Sequence, residues 1–274
     1  MTECSASEPR PTSQSQRPVL MLLHGFALHS GIWADWPVAL ATQVEARAID
    51  LPGHGTRPWD AHIGDLAGLA RAVSDEIPAG AIVLGWSLGG MIALELARQR
   101  PTTLGGLVLV ATTPRFVAGA GWPHGIEPEV LETFAEGVRR DYHRTVQDFL
   151  TLQVLGTADP RATLRALRAG VRSRPAPDPR ALETGLDILR RADLREQVSG
   201  IDLQSLVITG QHDRLAHPAA GEFLASGLPR ARLLRIPGAG HAPFLSHPAA
   251  MRDEVAAFVG RVRPPAVRSA SAAG

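Results

Sequence analysis

Short apolar runs separated by helical patterns recur along most of this chain. The runs span 19–23, 46–49, 81–86, 107–111, 206–209 and 233–236. Apolar runs of this length between turn signals are typical of buried strands, and strands that alternate with helices form parallel sheets covered on both faces. The pattern predicts an α/β protein with a mostly parallel central sheet flanked by helices.

The alternation stops between residues 115 and 195, where the pattern becomes helical and is broken by Pro and Gly. Strand and helix signals then resume, so we expect a helical cap over 115–195 inserted into one core, formed by 19–114 and 196–263. The first 18 residues are rich in Ser, Pro, Gln and Thr. We expect a disordered tail over 1–18 and a flexible one over 264–274.

Composition and charge argue against several classes of function. The chain has 274 residues, and its 28 basic residues, all arginine, are balanced by 27 acids. A formal net charge of +1 gives no overall field for nucleic acid. The single Cys4 allows no intrachain disulfide, and the polar start has no signal-peptide pattern. The uncharged run 77–94 is interrupted by Pro and Gly, so we expect no membrane span and a cytoplasmic protein.

A candidate nucleophile lies in the motif Gly85-Trp86-Ser87-Leu88-Gly89. An apolar strand pattern precedes the motif, and a helix-forming run follows it. In such a strand-to-helix turn the serine takes strained dihedrals, and glycines are needed where side chains would clash. We predict that Ser87 is exposed at the carboxyl edge of the sheet as the nucleophile of an acyl-transfer reaction.

Two later loops supply an acid and a base for that serine. Asp213 follows the strand run 206–209, and His241 follows the run 233–236 within a glycine-containing loop. A serine hydroxyl needs a base that is itself oriented by a third group. The order Ser87, Asp213, His241 predicts a catalytic triad; His212 is the alternative base.

Two other sets of residues have expected supporting roles. We assign the oxyanion donors to the backbone N–H groups of Leu88 and Phe26, and we expect His24 to organise the loop that carries Phe26. Five further histidines have polar neighbours in the sequence and are expected at the surface or as caps. They are His54, His62, His124, His143 and His247.

With these motifs the chain resembles the α/β-hydrolase superfamily over nearly its whole folded length, and within it the pimeloyl-acyl-carrier-protein methyl ester esterase family of biotin biosynthesis. The motifs that carry the narrower resemblance are Leu84-Gly85-Trp86-Ser87-Leu88-Gly89-Gly90, Gly121-Trp122-Pro123, Phe149-Leu150-Thr151-Leu152-Gln153, Gly185-Leu186-Asp187-Ile188-Leu189 and His241-Ala242-Pro243-Phe244.

The resemblance implies an α/β-hydrolase fold and a serine carboxylesterase. Its substrate would be a methyl-capped pimeloyl chain on the phosphopantetheine arm of an acyl-carrier protein. Hydrolysis of the methyl ester would release methanol and leave the pimeloyl chain on the carrier, and the reaction would need no cofactor or metal. The implied substrate-binding residues are Phe26, Ser87, Leu88, Phe149, Leu150, Thr151, Leu152, Gln153 and His241. Phe26 stands where the family often has Trp.

A run of arginines offers a reason to expect an acidic partner. Between residues 139 and 174 there are eight arginines and three acids. On a helix beginning at Asp159-Pro160, four of the arginines share an outward stripe roughly 60° wide. They are Arg161, Arg165, Arg168 and Arg172. The resemblance implies carrier-protein contacts at Arg144, Arg161 and Arg165, and Asp148 departs from it where an arginine is expected.

Other functions stay open at this point. A general short-chain carboxylesterase would use the same site, and a hydrolase-like ligand sensor or carrier-binding module would keep the fold without turnover. We expect a monomer.

Overall fold

The predicted strands form one sheet in the computed structural model, which describes residues 17–154 and 159–262. Within those residues the strands are β1 (Val19–Leu23), β2 (Glu45–Ile49), β3 (Ile82–Trp86), β4 (Gly106–Val110), β5 (Ser205–Gly210) and β6 (Ala231–Ile236). Their order is β2-β1-β3-β4-β5-β6, and each neighbouring pair is parallel. This confirms the predicted fold class.

Helices cover the sheet and fill the long connection between β4 and β5. They are α1 (Trp36–Ala39), α2 (Leu66–Ser74), α3 (Leu88–Gln99), α4 (Pro128–Arg140), α5 (Tyr142–Gln153), α6 (Pro160–Arg172), α7 (Pro179–Arg191), α8 (Pro218–Gly227), α9 (Pro243–Ser246) and α10 (Pro248–Arg261). None of those in the described ranges is both long enough and apolar enough to cross a membrane.

Burial explains where the sequence pattern was clear and where it was weak. Strands β3, β4 and β5 are buried along their whole length. The edge strand β6 begins two residues before the predicted run. Its Arg232 and Arg235 are exposed, and only Ile236 is fully buried. Successive side chains of a strand face opposite sides of the sheet, so these two arginines, three positions apart, lie on opposite faces. Both faces of this edge strand therefore reach solvent, and its apolar signal is weak.

The parallel arrangement gathers the candidate residues at one edge of the sheet. The carboxyl ends of parallel strands share an edge, and ligands of open α/β sheets bind outside it. The loops after β1, β3, β5 and β6 leave from this edge and carry His24, Ser87, Asp213 and His241. The sheet topology thus brings together segments far apart in the chain.

We refer to α4 to α7 as the cap helices. They occupy the predicted segment 115–195, whose boundaries as a domain stay a prediction. Helix α6 begins as predicted: Asp159 accepts a hydrogen bond from Ala162 N–H at 2.9 Å, and Pro160 follows it. Its Leu167 is fully buried. Of the predicted tails 1–18 and 264–274, only residues 17 and 18 are among the described residues.

Candidate active site

Ser87 lies in the sharp turn between β3 and α3. Its dihedrals are φ 56° and ψ −118°, a strained combination for a residue with a side chain. A Cβ on Gly85 would collide with the Gly89 carbonyl, and one on Gly89 with the Leu23 carbonyl. The Ser87 carbonyl accepts a hydrogen bond from the Thr112 hydroxyl at 2.7 Å. The turn thus holds a partly exposed serine at the start of a helix.

Asp213 and His241 meet through the adjacent strands β5 and β6. The Nδ1 atom of His241 lies 2.8 Å from Oδ2 of Asp213, and both side chains are almost fully buried. The other carboxylate oxygen accepts N–H groups from Leu215 at 2.8 Å and Ala216 at 3.0 Å. An ionised carboxylate only accepts hydrogen bonds. Nδ1 therefore carries the proton, and Nε2 is left as the basic nitrogen of the ring.

Trp86 connects the serine turn to the histidine loop, a role that the sequence reasoning missed. Its indole N–H donates to the His241 carbonyl at 2.8 Å, and the two rings lie 5.5 Å apart. The His241 N–H donates in turn to the Gln153 carbonyl of α5 at 3.3 Å. The residue next to Ser87 thus fixes the backbone of the histidine loop, and a cap helix supports it from the other side.

The loop after β1 passes over the serine turn. A Cβ on Gly25 would lie 3.3 Å from the Cβ of Ser87, so the backbone approaches the serine closely here. Phe26 follows directly. Leu88 is the first residue of α3, a position whose N–H has no acceptor within its own helix. Both predicted oxyanion donors therefore belong to backbone segments that border Ser87.

His24 is placed as an organiser of that loop. Its Nδ1 donates to the Gly25 carbonyl at 2.9 Å, and its Nε2 accepts the Leu51 N–H at 3.0 Å. Burial, followed by the neighbouring His54, lowers the pKa of His24 to about 3. A neutral ring with both nitrogens engaged cannot serve as a base. The structure is consistent with the organising role that we expected.

The prediction that His54 lies at the surface is wrong. Only 6% of His54 is exposed, its Nδ1 donates to the Pro52 carbonyl at 2.9 Å, and its ring lies 5.2 Å from that of His24. Burial lowers the pKa of His54 to about 4. His54 has polar neighbours in the sequence, but the loop after β2 folds inward and buries its ring.

Asp50 joins this loop to the cap helices. It accepts N–H groups from Ser30 at 2.8 Å and Thr56 at 3.1 Å, and it pairs with Arg174 beyond the end of α6. Burial raises the pKa of the Asp50 carboxyl, but the hydrogen bonds from Ser30 and Thr56 outweigh it and hold the pKa at about 2. Asp50 is therefore an ionised structural anchor.

Two of the predicted acyl-site residues, Phe26 and Phe149, belong to one aromatic cluster. The Phe26 ring lies 5.9 Å from Phe134, which lies 4.9 Å from Phe149. Phe134, missed from the sequence, thus links two predicted residues of distant segments. Leu150 is fully buried.

The remaining three acyl-site predictions fall on the end of α5. Gln153 is buried, and its Oε1 has no partner in the structure. Thr151 is exposed, and its hydroxyl bonds back to the Gln147 carbonyl at 3.1 Å. The Leu152 side chain lies outside what the structure describes.

The predicted carrier contacts are exposed on α5 and α6. Arg144, Arg161 and Arg165 all face solvent, and none of them pairs with a carboxylate within residues 17–154 and 159–262. By contrast, Arg139 and Arg190 of α4 and α7 pair with Glu183 and Glu132. The structure leaves the positive charge of α6 unneutralised by the described residues.

The outward stripe predicted on α6 needs one correction. Arg161, Arg165 and Arg172 are exposed, but Arg168 is half-buried and its Nε is sealed from solvent without a partner. Arg168 is the member of the stripe nearest Leu164, which packs against the core. Its stem is therefore covered at the edge of the packed face.

The fold and these loops define the chain as an α/β hydrolase. Residues 20–254 match the model of the alpha/beta hydrolase family, and the chain belongs to that family. An esterase from Exiguobacterium antarcticum has a similar structure, with a TM-score of 0.80 at 19% identity, covering 89% of this chain and 92% of that one.

Two relatives share far more of the sequence. A protein of Nitrosomonas europaea named pimeloyl-acyl-carrier-protein methyl ester esterase is 41% identical over 231 residues, which is 84% of this chain and 91% of the relative. A protein of the same name from Xanthomonas axonopodis is 43% identical over 246 residues, which is 89% of this chain and 96% of the relative.

Proposed function

We propose that this chain is a carboxylic ester hydrolase that cleaves the methyl ester of pimeloyl-acyl-carrier protein in biotin biosynthesis. The observation that carries the substrate assignment is the 41 to 43% identity, over most of the chain, to relatives of that name. The hydrogen bond between His241 and Asp213 and the strained turn at Ser87 support the chemistry.

In the proposed reaction, the Ser87 hydroxyl attacks the ester carbonyl while His241 Nε2 takes its proton. The backbone N–H groups of Phe26 and Leu88 hold the resulting oxyanion, and the Asp213 carboxylate stabilises the imidazolium. Collapse breaks the bond to the methoxy oxygen, which leaves as methanol with the proton from His241.

A water molecule then completes the cycle. It attacks the acyl-enzyme while His241 again accepts a proton, and the second tetrahedral intermediate expels Ser87, which takes that proton back. The product is the free pimeloyl carboxylate, still joined to the carrier through its thioester. No redox step occurs, so the chain needs only its own side chains and water.

The cap helices would serve both ends of this substrate. We propose that Phe26 and Phe149, joined through Phe134, line the path of the acyl chain. Arg144, Arg161 and Arg165 would contact the acidic carrier protein, which fits their exposure and lack of carboxylate partners among the described residues. Asp148 is also exposed and would weaken or shift that contact.

We also propose that residues 115–195 act as a cap on the core and that the protein works as a cytoplasmic monomer. Light scattering of the purified full chain tests the monomer, with a mass of 29.1 kDa expected. A mass of twice that value would contradict it, and fractionation of the source cells would test the compartment.

Mass spectrometry of the carrier-bound methyl ester tests the proposed reaction. We expect the mass of one methylene to be lost, methanol to form, and the thioester to survive. Ser87→Ala should lower kcat by at least about 10⁴-fold, whereas Ser199→Ala, at an exposed position outside the site, should not. Turnover by Ser87→Ala at the wild-type rate would refute the serine mechanism.

Free methyl pimelate separates this proposal from the alternatives. If the free ester is cleaved as efficiently as the carrier-bound ester, the chain is a general carboxylesterase. Tight binding of the carrier-bound ester without turnover would indicate a binding module.

A further inference from the structure

One side chain of the cap helices is hydrogen-bonded to the backbone of the predicted oxyanion loop. Tyr142, the only tyrosine of the sequence, is the first residue of α5. Its hydroxyl donates to the carbonyl of Ala27 at 3.1 Å. Ala27 is buried and directly follows Phe26. A tyrosine 115 residues away in sequence thus contacts the loop beside the predicted donor.

The backbone at this point needs external support. Ala27 has a φ of 61°, in the left-handed region that disfavours any residue with a Cβ, at a penalty of about 1 to 2 kcal/mol. The φ of Ala27 is the torsion about its N–Cα bond, so its relaxation would rotate the Ala27 carbonyl relative to the Phe26 backbone. The Phe26 N–H lies on the preceding peptide, between Gly25 and Phe26, within the segment that would shift. The hydrogen bond from Tyr142 holds the Ala27 carbonyl and therefore restrains this rotation.

Other cap helices hold only the Phe26 side chain. Its ring packs against Phe134 of α4, and a Cβ on Gly185 of α7 would lie 2.8 Å from it. Aromatic packing restrains the ring but leaves the peptide planes free to rotate. Among the described residues, Tyr142 supplies the side-chain hydrogen bond to the main chain of Phe26 and Ala27. The ring contacts therefore restrain the Phe26 side chain, whereas the Tyr142 hydrogen bond restrains the backbone beside it.

The donor is permanent over the working range of pH. Burial raises the pKa of the Tyr142 phenol to about 12, so the hydroxyl keeps its proton in neutral and mildly alkaline solution. A hydrogen bond to a buried carbonyl is also expensive to lose, because the carbonyl would be left without water. The geometry is therefore that of a fixed tether.

We propose that Tyr142 is a positioning residue that sets the orientation of the Phe26 N–H toward the oxyanion. It acts through the Ala27 carbonyl and does not touch the reacting atoms. This inference rests on the proposed function, since it assumes an oxyanion formed at Ser87. It gives the cap helices a second role, as part of the scaffold of the oxyanion hole.

Tyr142→Phe removes the hydroxyl and keeps the ring. For a small nitrophenyl ester we expect kcat to fall about 10-fold with KM within about 2-fold, less than the 10²-fold or more for loss of a whole donor. Thr133→Val is the matched control, because it deletes a cap hydroxyl bonded at 2.8 Å to the Glu129 carbonyl, away from the loop. Its kcat should stay at the wild-type value.

A pair of ligands separates positioning from general damage to the cap. An alkyl trifluoromethyl ketone adds to Ser87 and forms a bound oxyanion, whereas the matching trifluoromethyl carbinol cannot. Tyr142→Phe should raise the inhibition constant of the ketone about 10-fold and leave that of the carbinol within about 2-fold. Equal changes for both ligands would overturn the inference and indicate a structural role only.

The outcome also distinguishes this inference from the proposed function. If Ser87→Ala is inactive and Tyr142→Phe binds the ketone as tightly as wild type, the inference fails while the esterase proposal stands. If Ser87→Ala keeps full turnover, the esterase mechanism fails, and the inference falls with it.

Discussion

Two buried histidines should make the folded protein sensitive to mild acid. Burial, the largest cause, lowers the pKa of His24 to about 3 and that of His54 to about 4. The nearby Asp50 charge raises both values and does not overcome the burial. In the unfolded chain both imidazoles return to a pKa near 6.5. The unfolded state therefore binds protons that the folded state cannot.

The sign and size of the effect follow from proton linkage. A depressed folded-state pKa contributes stability above the unfolded value, and that stability is lost as the pH falls. Between about pH 7.5 and about pH 5, each histidine should remove about 2 kcal/mol from the free energy of unfolding. Together they remove about 4 kcal/mol, a large share of a typical total of about 5 to 15 kcal/mol. The loss levels off once the pH falls below the folded-state values.

Urea unfolding at several pH values between about 5 and about 7.5 measures how steeply the free energy of unfolding changes with pH. Below about pH 6, the free energy of unfolding should fall by about 2.7 kcal/mol per pH unit, of which each histidine supplies about half. His54→Asn keeps a donor for the Pro52 carbonyl and cannot take up the proton, so its slope should be about half as steep. His62→Gln, at an exposed position, is the control and should keep the full slope.

A flat profile down to about pH 5 would refute this reasoning. It would mean that the folded loop admits protonated imidazoles, by opening or by taking in water. An unchanged slope in His54→Asn would place the proton uptake elsewhere in the chain.

Two further predictions concern the site and the carrier surface. Asp213→Asn should lower kcat by about 10⁴-fold, because an amide cannot stabilise the His241 imidazolium and favours the wrong tautomer. A loss under about 10-fold in steady-state assays would contradict the assignment of Asp213 as the acid of the triad. Arg161→Glu with Arg165→Glu should raise KM for the carrier-bound ester and leave a small ester unaffected, while Arg261→Glu on α10 leaves both unaffected. A higher salt concentration should have the same effect as the double variant, since exposed charges are screened over about 8 Å at physiological ionic strength. Equal losses of the double variant on both substrates would indicate damaged cap helices instead.

Local patterns predicted much of the architecture correctly. The runs predicted at 81–86 and 107–111 correspond to the buried central strands β3 and β4, because a fully buried parallel strand needs apolar residues on both faces. The glycines around Ser87 predicted a tight turn for a similarly local reason: side chains at Gly85 and Gly89 would overlap backbone within the turn or across it. Such features depend on neighbours in sequence or on one adjacent strand, and the sequence displays them directly.

Contacts between distant segments depended on the tertiary structure. The burial of His54 and the covered stem of Arg168 follow from how a loop and a helix pack, which residue type and spacing do not specify. The same holds for Tyr142, whose hydroxyl meets Ala27 only because α5 lies across the loop after β1.

By itself, the sequence determined the parallel sheet, the turn at Ser87 and the order of the polar loops. Only the tertiary structure decided which of those loops touch. Asp213 and His241 are hydrogen-bonded because β5 and β6 are neighbours in the sheet, and strand order is set by how the whole core packs. Periodicity and turn chemistry act over a few residues, whereas the site is assembled from side chains that only the complete fold brings within hydrogen-bonding distance.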